Sequence, residues 1–161
     1  MRNTLLSITV ATALLATVGL ANAQTTTTTT AQVFPSATIT TQLSTLLQDA
    51  KPTGSKAITL GDYGPDKLML SVRTASGGVE VHAHFSDVFV ITDGRATLII
   101  GGTVVDATTN AAGETHGTSI QNGTSQPLAK GDVVHIPAGI PHQMLLAPGD
   151  TLSYFVVKVK N

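Results

Sequence analysis

The 161-residue sequence contains no cysteine. That absence excludes a disulfide framework, thiolate catalysis, a cysteine-ligated zinc site and a lipid-modified N-terminal cysteine. Any metal must be held by histidine, carboxylate or carbonyl groups. Tryptophan is also absent, aromatic residues make up 4% of the chain and charged residues only 12%. Nine basic and ten acidic residues leave a formal net charge of −1, which offers no footprint for nucleic acid or for an anionic membrane. Thr, Ser, Gly, Val and Leu take the place of the missing charge. That mixture suits β-strands joined by tight turns.

The N-terminus reads as an address. Arg2 supplies a positive start, residues 5–20 are an apolar run broken only by Ser, Thr and Gly, and Ala21-Asn22-Ala23 has the small-x-small pattern of a signal-peptidase site. The run is short and ends in a good cleavage site, so residues 1–23 are expected to be a removed signal peptide and not a retained anchor. The mature chain is then exported, periplasmic or secreted, with no membrane attachment. Thr25 to Thr30 are six consecutive threonines, and residues 24–40 are expected to be a disordered tether with nothing to bury. Leu43, Leu46, Leu47 and Ala50 then fall at i, i+3, i+4 and i+7, one apolar helical face, before Lys51-Pro52-Thr53-Gly54 ends the segment. Residues 41–55 therefore form a short helix and linker. The helix is expected to lie on the edge of the main domain.

From residue 56 to 161 the period becomes two. Strands are predicted at 57–60, 67–74, 79–81, 88–92, 96–100, 133–136, 144–147 and 152–159, separated by Gly, Pro, Asp and Asn. Many short strands of this kind form an antiparallel sandwich or barrel. Asp93-Gly94 between two apolar runs predicts a hairpin. The Gly-rich polar segment 106–130 is expected to be a long loop, of the sort that often carries function.

Two stretches carry chemistry. In Gly78-Val-Glu-Val-His82-Ala-His84-Phe-Ser-Asp87, His82 and His84 stand two apart, so on one strand both imidazoles point to one face. That is a natural start for a transition-metal site, although two surface histidines would have the same spacing. The second stretch is Gly131-Asp-Val-Val-His135-Ile-Pro137-Ala-Gly139-Ile-Pro141-His142. Its arrangement G-x5-P-x-G-x2-H occurs by chance on the order of 10⁻⁵ per starting position, given average residue usage.

That arrangement resembles the second conserved motif of the cupin superfamily, filled by Gly131, Pro137, Gly139 and His142. The first cupin motif, G-x5-H-x-H-x(3,4)-E-x6-G, is matched by His82, His84 and Gly94, with Asp87 in place of the glutamate and only two residues, where the motif has three or four, between His84 and Asp87. The resemblance implies an all-β fold: a conical antiparallel β-barrel of jelly-roll, double-stranded β-helix type with a short N-terminal helix. It also implies metal ligands His82, His84 and His142, with Asp87 either a fourth ligand or a rim group. Strict alternation from His84 points Asp87 outward, so ligation would need a β-bulge near Phe85-Ser86. His135 is read as structural or supporting the ligands, Met144 as lining the pocket, and His116 as a loop histidine able to reach the barrel mouth.

Such a donor set suits a divalent transition ion, Fe, Mn, Ni, Cu or Zn. Two functional classes follow: a metal-dependent enzyme of dioxygenase, isomerase or decarboxylase type acting on a small organic molecule, or a non-catalytic small-molecule or metal-binding module. A metal-free structural cupin is a third reading. The fold does not choose among them. A homodimer is expected through sheet edges, with the Leu43/Leu46/Leu47 face near the contact. N-terminal sequencing of the exported protein should begin at Gln24; a start at Met1 would contradict the signal-peptide reading.

Overall fold

The computed structural model describes residues 31–161. The proposed signal peptide and the six-threonine tract lie outside those residues. Helix α1 (Ser36–Ala50) is followed by β1 (Ser55–Asp62), β2 (Asp66–Arg73), β3 (Val79–His82), β4 (Phe85–Ile100), β5 (Thr103–Val105), β6 (Thr108–Thr109), β7 (Glu114–Gly117), β8 (Ser119–Gln121), β9 (Thr124–Ala129), β10 (Val133–Ile136), β11 (His142–Leu145) and β12 (Leu152–Lys160).

All strand pairs are antiparallel, and β4 ties two sheets together. Its first half pairs with β12 and β10, continuing to β2 and β1. Its second half pairs with β11 and β9, continuing to β3, β7 and β6. Inner-face residues of both sheets, among them Phe89, Ile91, Leu98, Ile136, Met144, Leu152, Tyr154 and Val156, form the core between them. This is the jelly-roll arrangement expected of the sequence, with alternate residues of each strand turned inward.

Helix α1 packs on the outer face of the first sheet. Leu43, Leu46, Leu47 and Ala50 meet Leu70, Val72, Ile58 and Phe155. The predicted apolar face is thus used within the chain, and Leu46 is only 2% exposed. The helix starts at Ser36 and not at Thr41, so residues 36–40, expected in the tether, are helical. Thr40, Thr41, Ser44 and Thr45 each donate a hydroxyl hydrogen bond to the carbonyl four residues earlier. This back-bonding lets a hydroxyl-rich segment, disordered by composition, continue the helix.

Two further expectations are corrected. Asp93-Gly94 does not form a hairpin: β4 runs through it for 16 residues. Gly94 has φ +84°, and opposite it the register with β12 slips between Ser153 and Tyr154. A Cβ at Gly94 would lie 1.9 Å from the Thr151 carbonyl oxygen. The glycine serves as a bend by which one strand leaves the first sheet and enters the second. The 106–130 segment is not an open loop either. β6 and β7 extend the second sheet, β9 pairs with β4, and β5 and β8 form a separate two-stranded ribbon. Its strands are short and mostly exposed on both faces, so they lack the alternation that marks a half-buried strand.

Leu46→Ala should cost about 2–4 kcal/mol of stability, as for other buried Leu truncations, measured by chemical denaturation. Because the helix is buried on its own sheet, the loss should be independent of protein concentration. A loss that appears only at high concentration would put the helix in a dimer contact.

Candidate metal centre

β3 and β11 lie side by side with His142 opposite Glu80 in register. Glu80 and His82 are two apart on β3, so Glu80, His82 and His142 share one face. It is the inner one: His82 and His142 are buried, and Glu80 is partly so. One ligand atom from each lies within 4.8 Å of the others. Glu80 Oε2 stands 3.8 Å from His82 Nε2 and 3.9 Å from His142 Nε2. The two rings are 5.3 Å apart.

Asp87 comes from the first sheet and is 2% exposed. Its Oδ2 lies 3.3 Å from His82 Nε2 and 4.0 Å from His142 Nε2. It points inward without the bulge that strict alternation required. β3 ends at His82, the chain bends at Ala83-His84 as it crosses to the other sheet, and β4 starts a new phase in which Asp87, Phe89 and Ile91 face the core. Lys158, opposite Asp87 on β12, donates to both carboxylate oxygens at 2.9 and 3.0 Å.

The same bend removes His84 from the expected ligand set: it is exposed at the corner and outside the clustered group. His135 is exposed on β10, so it supports no buried ligand, and His116 is exposed on β7. Met144 lines the cavity as expected. Sequence reasoning missed Glu80 and Glu114. The signal for Glu80 was spacing: with His82 taken as the second histidine of the motif, four residues separate it from Asp87 and six separate Asp87 from Gly94, both within the cupin pattern. Glu80 then occupies the first histidine's place. Glu114, in the presumed loop, carried no such signal.

Each imidazole is fixed through Nδ1. His82 Nδ1 contacts Glu114 Oε2, and His142 Nδ1 donates to the Ile140 carbonyl at 3.1 Å. Both Nε2 atoms are buried with no hydrogen-bond partner among the described residues. The two motifs are tied directly, as the Gly139 N–H donates to the His82 carbonyl at 2.9 Å. Burial disfavours the charged form of His82, but Asp87 and Glu114 outweigh it and raise its pKa above the ordinary value. Burial prevails at His142 and lowers its pKa. Burial alone would raise the Asp87 pKa, but His82 and Lys158 hold it below the usual carboxylate range.

The donor set fits a transition ion. Two imidazole Nε2 atoms and a carboxylate converge, with Asp87 Oδ2 the one other charged oxygen within 3.5 Å among the described residues, at 3.3 Å from His82 Nε2, and a carboxylate bound to the far nitrogen of His82 is a common support for a metal-bound histidine. A cavity of about 380 Å³ opens beside the group, lined by Met69, Ser71, Arg73, Phe89, Met144, Tyr154 and Val156 among others. Leu68, Leu70, Val88, Val90 and Phe155 do not line it, because each lies one residue out of phase with the inner face.

No protein-family model matches the chain, and no curated protein matches it. Solved structures do match. The protein TT1209 from Thermus thermophilus aligns at 18% identity over 73% of this chain and 93% of its own, with a TM-score of 0.53. An oxalate oxidase aligns at 12% identity over 69% of this chain and 53% of its own, with a TM-score of 0.50. The matched region thus spans about half of that enzyme. A cupin-like protein from Thermotoga maritima aligns at 16% identity over 65% and 68%, with a TM-score of 0.48. At these identities the likeness speaks to architecture alone. The chain has a cupin-type fold.

In the metal-free protein the charge on protonated His82 contributes stability that is fully present below about pH 6.5. That contribution is lost as pH rises through its raised folded value. NMR titration should give His82 a midpoint above the ordinary histidine value and His142 one below it. Glu114→Gln should lower the His82 midpoint; an unchanged midpoint would separate Glu114 from the imidazole.

Proposed function

We propose that this exported cupin-fold protein binds one divalent transition ion through Glu80, His82 and His142, beside a cavity for a small organic ligand. The observation that carries the reading is the convergence of two buried Nε2 atoms on the same Glu80 oxygen, at 3.8 and 3.9 Å, with Asp87 Oδ2 beside them at 3.3 and 4.0 Å. Among the described residues His142 Nε2 has no carboxylate oxygen closer than 3.9 Å, and burying a polar nitrogen unpaired costs free energy that coordination would recover. When bound, the ion supplies Lewis acidity to a ligand in the cavity. The chain's own residues do the rest. Glu114 and the Ile140 carbonyl hold the imidazoles with Nε2 inward, Asp87 balances charge beside them, and Phe89, Met144 and Val156 limit water. Among enzymatic classes this supports dioxygenase, isomerase or decarboxylase chemistry equally. A non-catalytic binding module would use the same geometry.

One observation favours a second reading. Lys158 already places a cation on both oxygens of Asp87, as it would in a metal-free structural cupin. Metal quantification after dialysis separates the two. The wild type should retain one ion per chain. His82→Ala, His142→Ala and Glu80→Ala should each lose most of it while staying folded, whereas His84→Ala, His116→Ala and His135→Ala should retain it. Asp87→Asn should cost about 10–100-fold in affinity, the size expected of a group that supports ligands without binding the ion. Full retention in the His82→Ala/His142→Ala double variant would overturn the metal reading and leave the structural one.

A further inference from the structure

The cavity holds a second polar constellation that the metal group does not require. Arg73 ends β2 on the same face as Ser71, and its side chain is 14% exposed. Its Nε donates to the Tyr154 hydroxyl at 3.0 Å. Tyr154 is itself braced edge-on against Phe89, with ring centroids 5.3 Å apart. Nη2 lies 3.9 Å from Glu80 Oε1, an ion-pair distance too long for a hydrogen bond. Of the five N–H donors of this guanidinium, the hydrogen bonds found among the described residues use Nε alone.

Gly77 makes room for the group. A Cβ there would stand 2.3 Å from Arg73 Nη1 and 2.9 Å from Cζ. The backbone of Gly77 is not in the left-handed region, so what the position demands is space. The result is a guanidinium anchored by one nitrogen, with its Nη1–Nη2 edge left over. Paired parallel donors of that kind match a planar carboxylate.

Charge points the same way. Lys56, Arg73 and Lys158 line the cavity against Glu80 and Asp87. A divalent ion on the Glu80/His82/His142 group would leave this lining net positive, even with Glu114 counted behind His82. A low-dielectric cavity of that sign concentrates anions. Its volume of about 380 Å³ is near the lower end for ligand pockets and fits a small molecule.

We propose that Arg73 is the anion anchor of the cavity and that the ligand is a small organic carboxylate, one end on the Arg73 edge and the other toward the metal group. This rests on the metal reading above. The test is calorimetric titration of the zinc-loaded full-length mature chain with malonate, its neutral diamide malonamide, and inorganic phosphate, with zinc stoichiometry measured on the same samples. Malonate should bind, malonamide should not, and phosphate should bind more weakly. Arg73→Gln should weaken malonate at least tenfold without changing zinc content, and Arg73→Lys should fall between, since lysine keeps the charge and loses the fork. Gly77→Ala, which keeps every charge but fills the guanidinium's space, should weaken malonate in the same direction and keeps the test open if Arg73→Gln fails to fold. Equal malonate affinity in wild type and variants, equal affinity for malonamide, or preference for phosphate would overturn the proposal. An absence of zinc with malonate binding still dependent on Arg73 would overturn the metal reading and sustain the anchor.

Discussion

The commitment of each imidazole's Nδ1 governs the rest of the site. With Glu114 on one ring and the Ile140 carbonyl on the other, both Nε2 atoms are aimed at one buried point. Which nitrogen faces inward is set by what the other nitrogen touches. That orientation needs β3, β7 and β11 side by side, the Pro137–Gly139 turn docked on the His82 carbonyl, and β4 crossing between the sheets to deliver Asp87. A small all-β domain with few charged residues gathers buried and half-buried charge there: Glu80, Asp87, Arg73 and Lys158 all line one cavity.

The arrangement has two faces. On one side Glu80 and the imidazoles form a donor set for a transition ion. On the other, Lys158 and Arg73 each hold or approach a carboxylate, so Glu80 and Asp87 are already offset before any ion enters. A buried carboxylate such as Asp87 is tolerated because Lys158 and His82 pair with it. The Asp87–Lys158 pair is also directly opposed across β4 and β12, which joins the site to the central strand pair of the first sheet.

Much of the fold was legible in the sequence. Leu43, Leu46, Leu47 and Ala50 sit on the buried face of α1 as their spacing required, and Gly131, Pro137, Gly139 and His142 lie as the second cupin motif implied. The misreadings at His84 and Gly94 share a cause, because period-two reasoning assumes that a strand stays in one sheet. At Ala83-His84 the chain changes sheets, so the alternation that paired His82 with His84 ends one residue too early and Glu80 becomes the neighbour that matters. At Gly94 the opposite happens: a turn-like dipeptide is absorbed into one bent strand. Glu114 was out of reach because its strand, only four residues long, is half exposed on a sheet near its edge, and its role arises solely from register with His82.

The central claim is that the ion is held by two imidazoles and a carboxylate, with His84 taking no part. X-ray absorption spectroscopy of the zinc-loaded chain tests it most directly, since imidazole scattering counts the histidines. The account predicts two imidazoles together with oxygen donors, and the same spectrum in His84→Ala. Three imidazoles, or a spectrum that changes when His84 is removed, would contradict it.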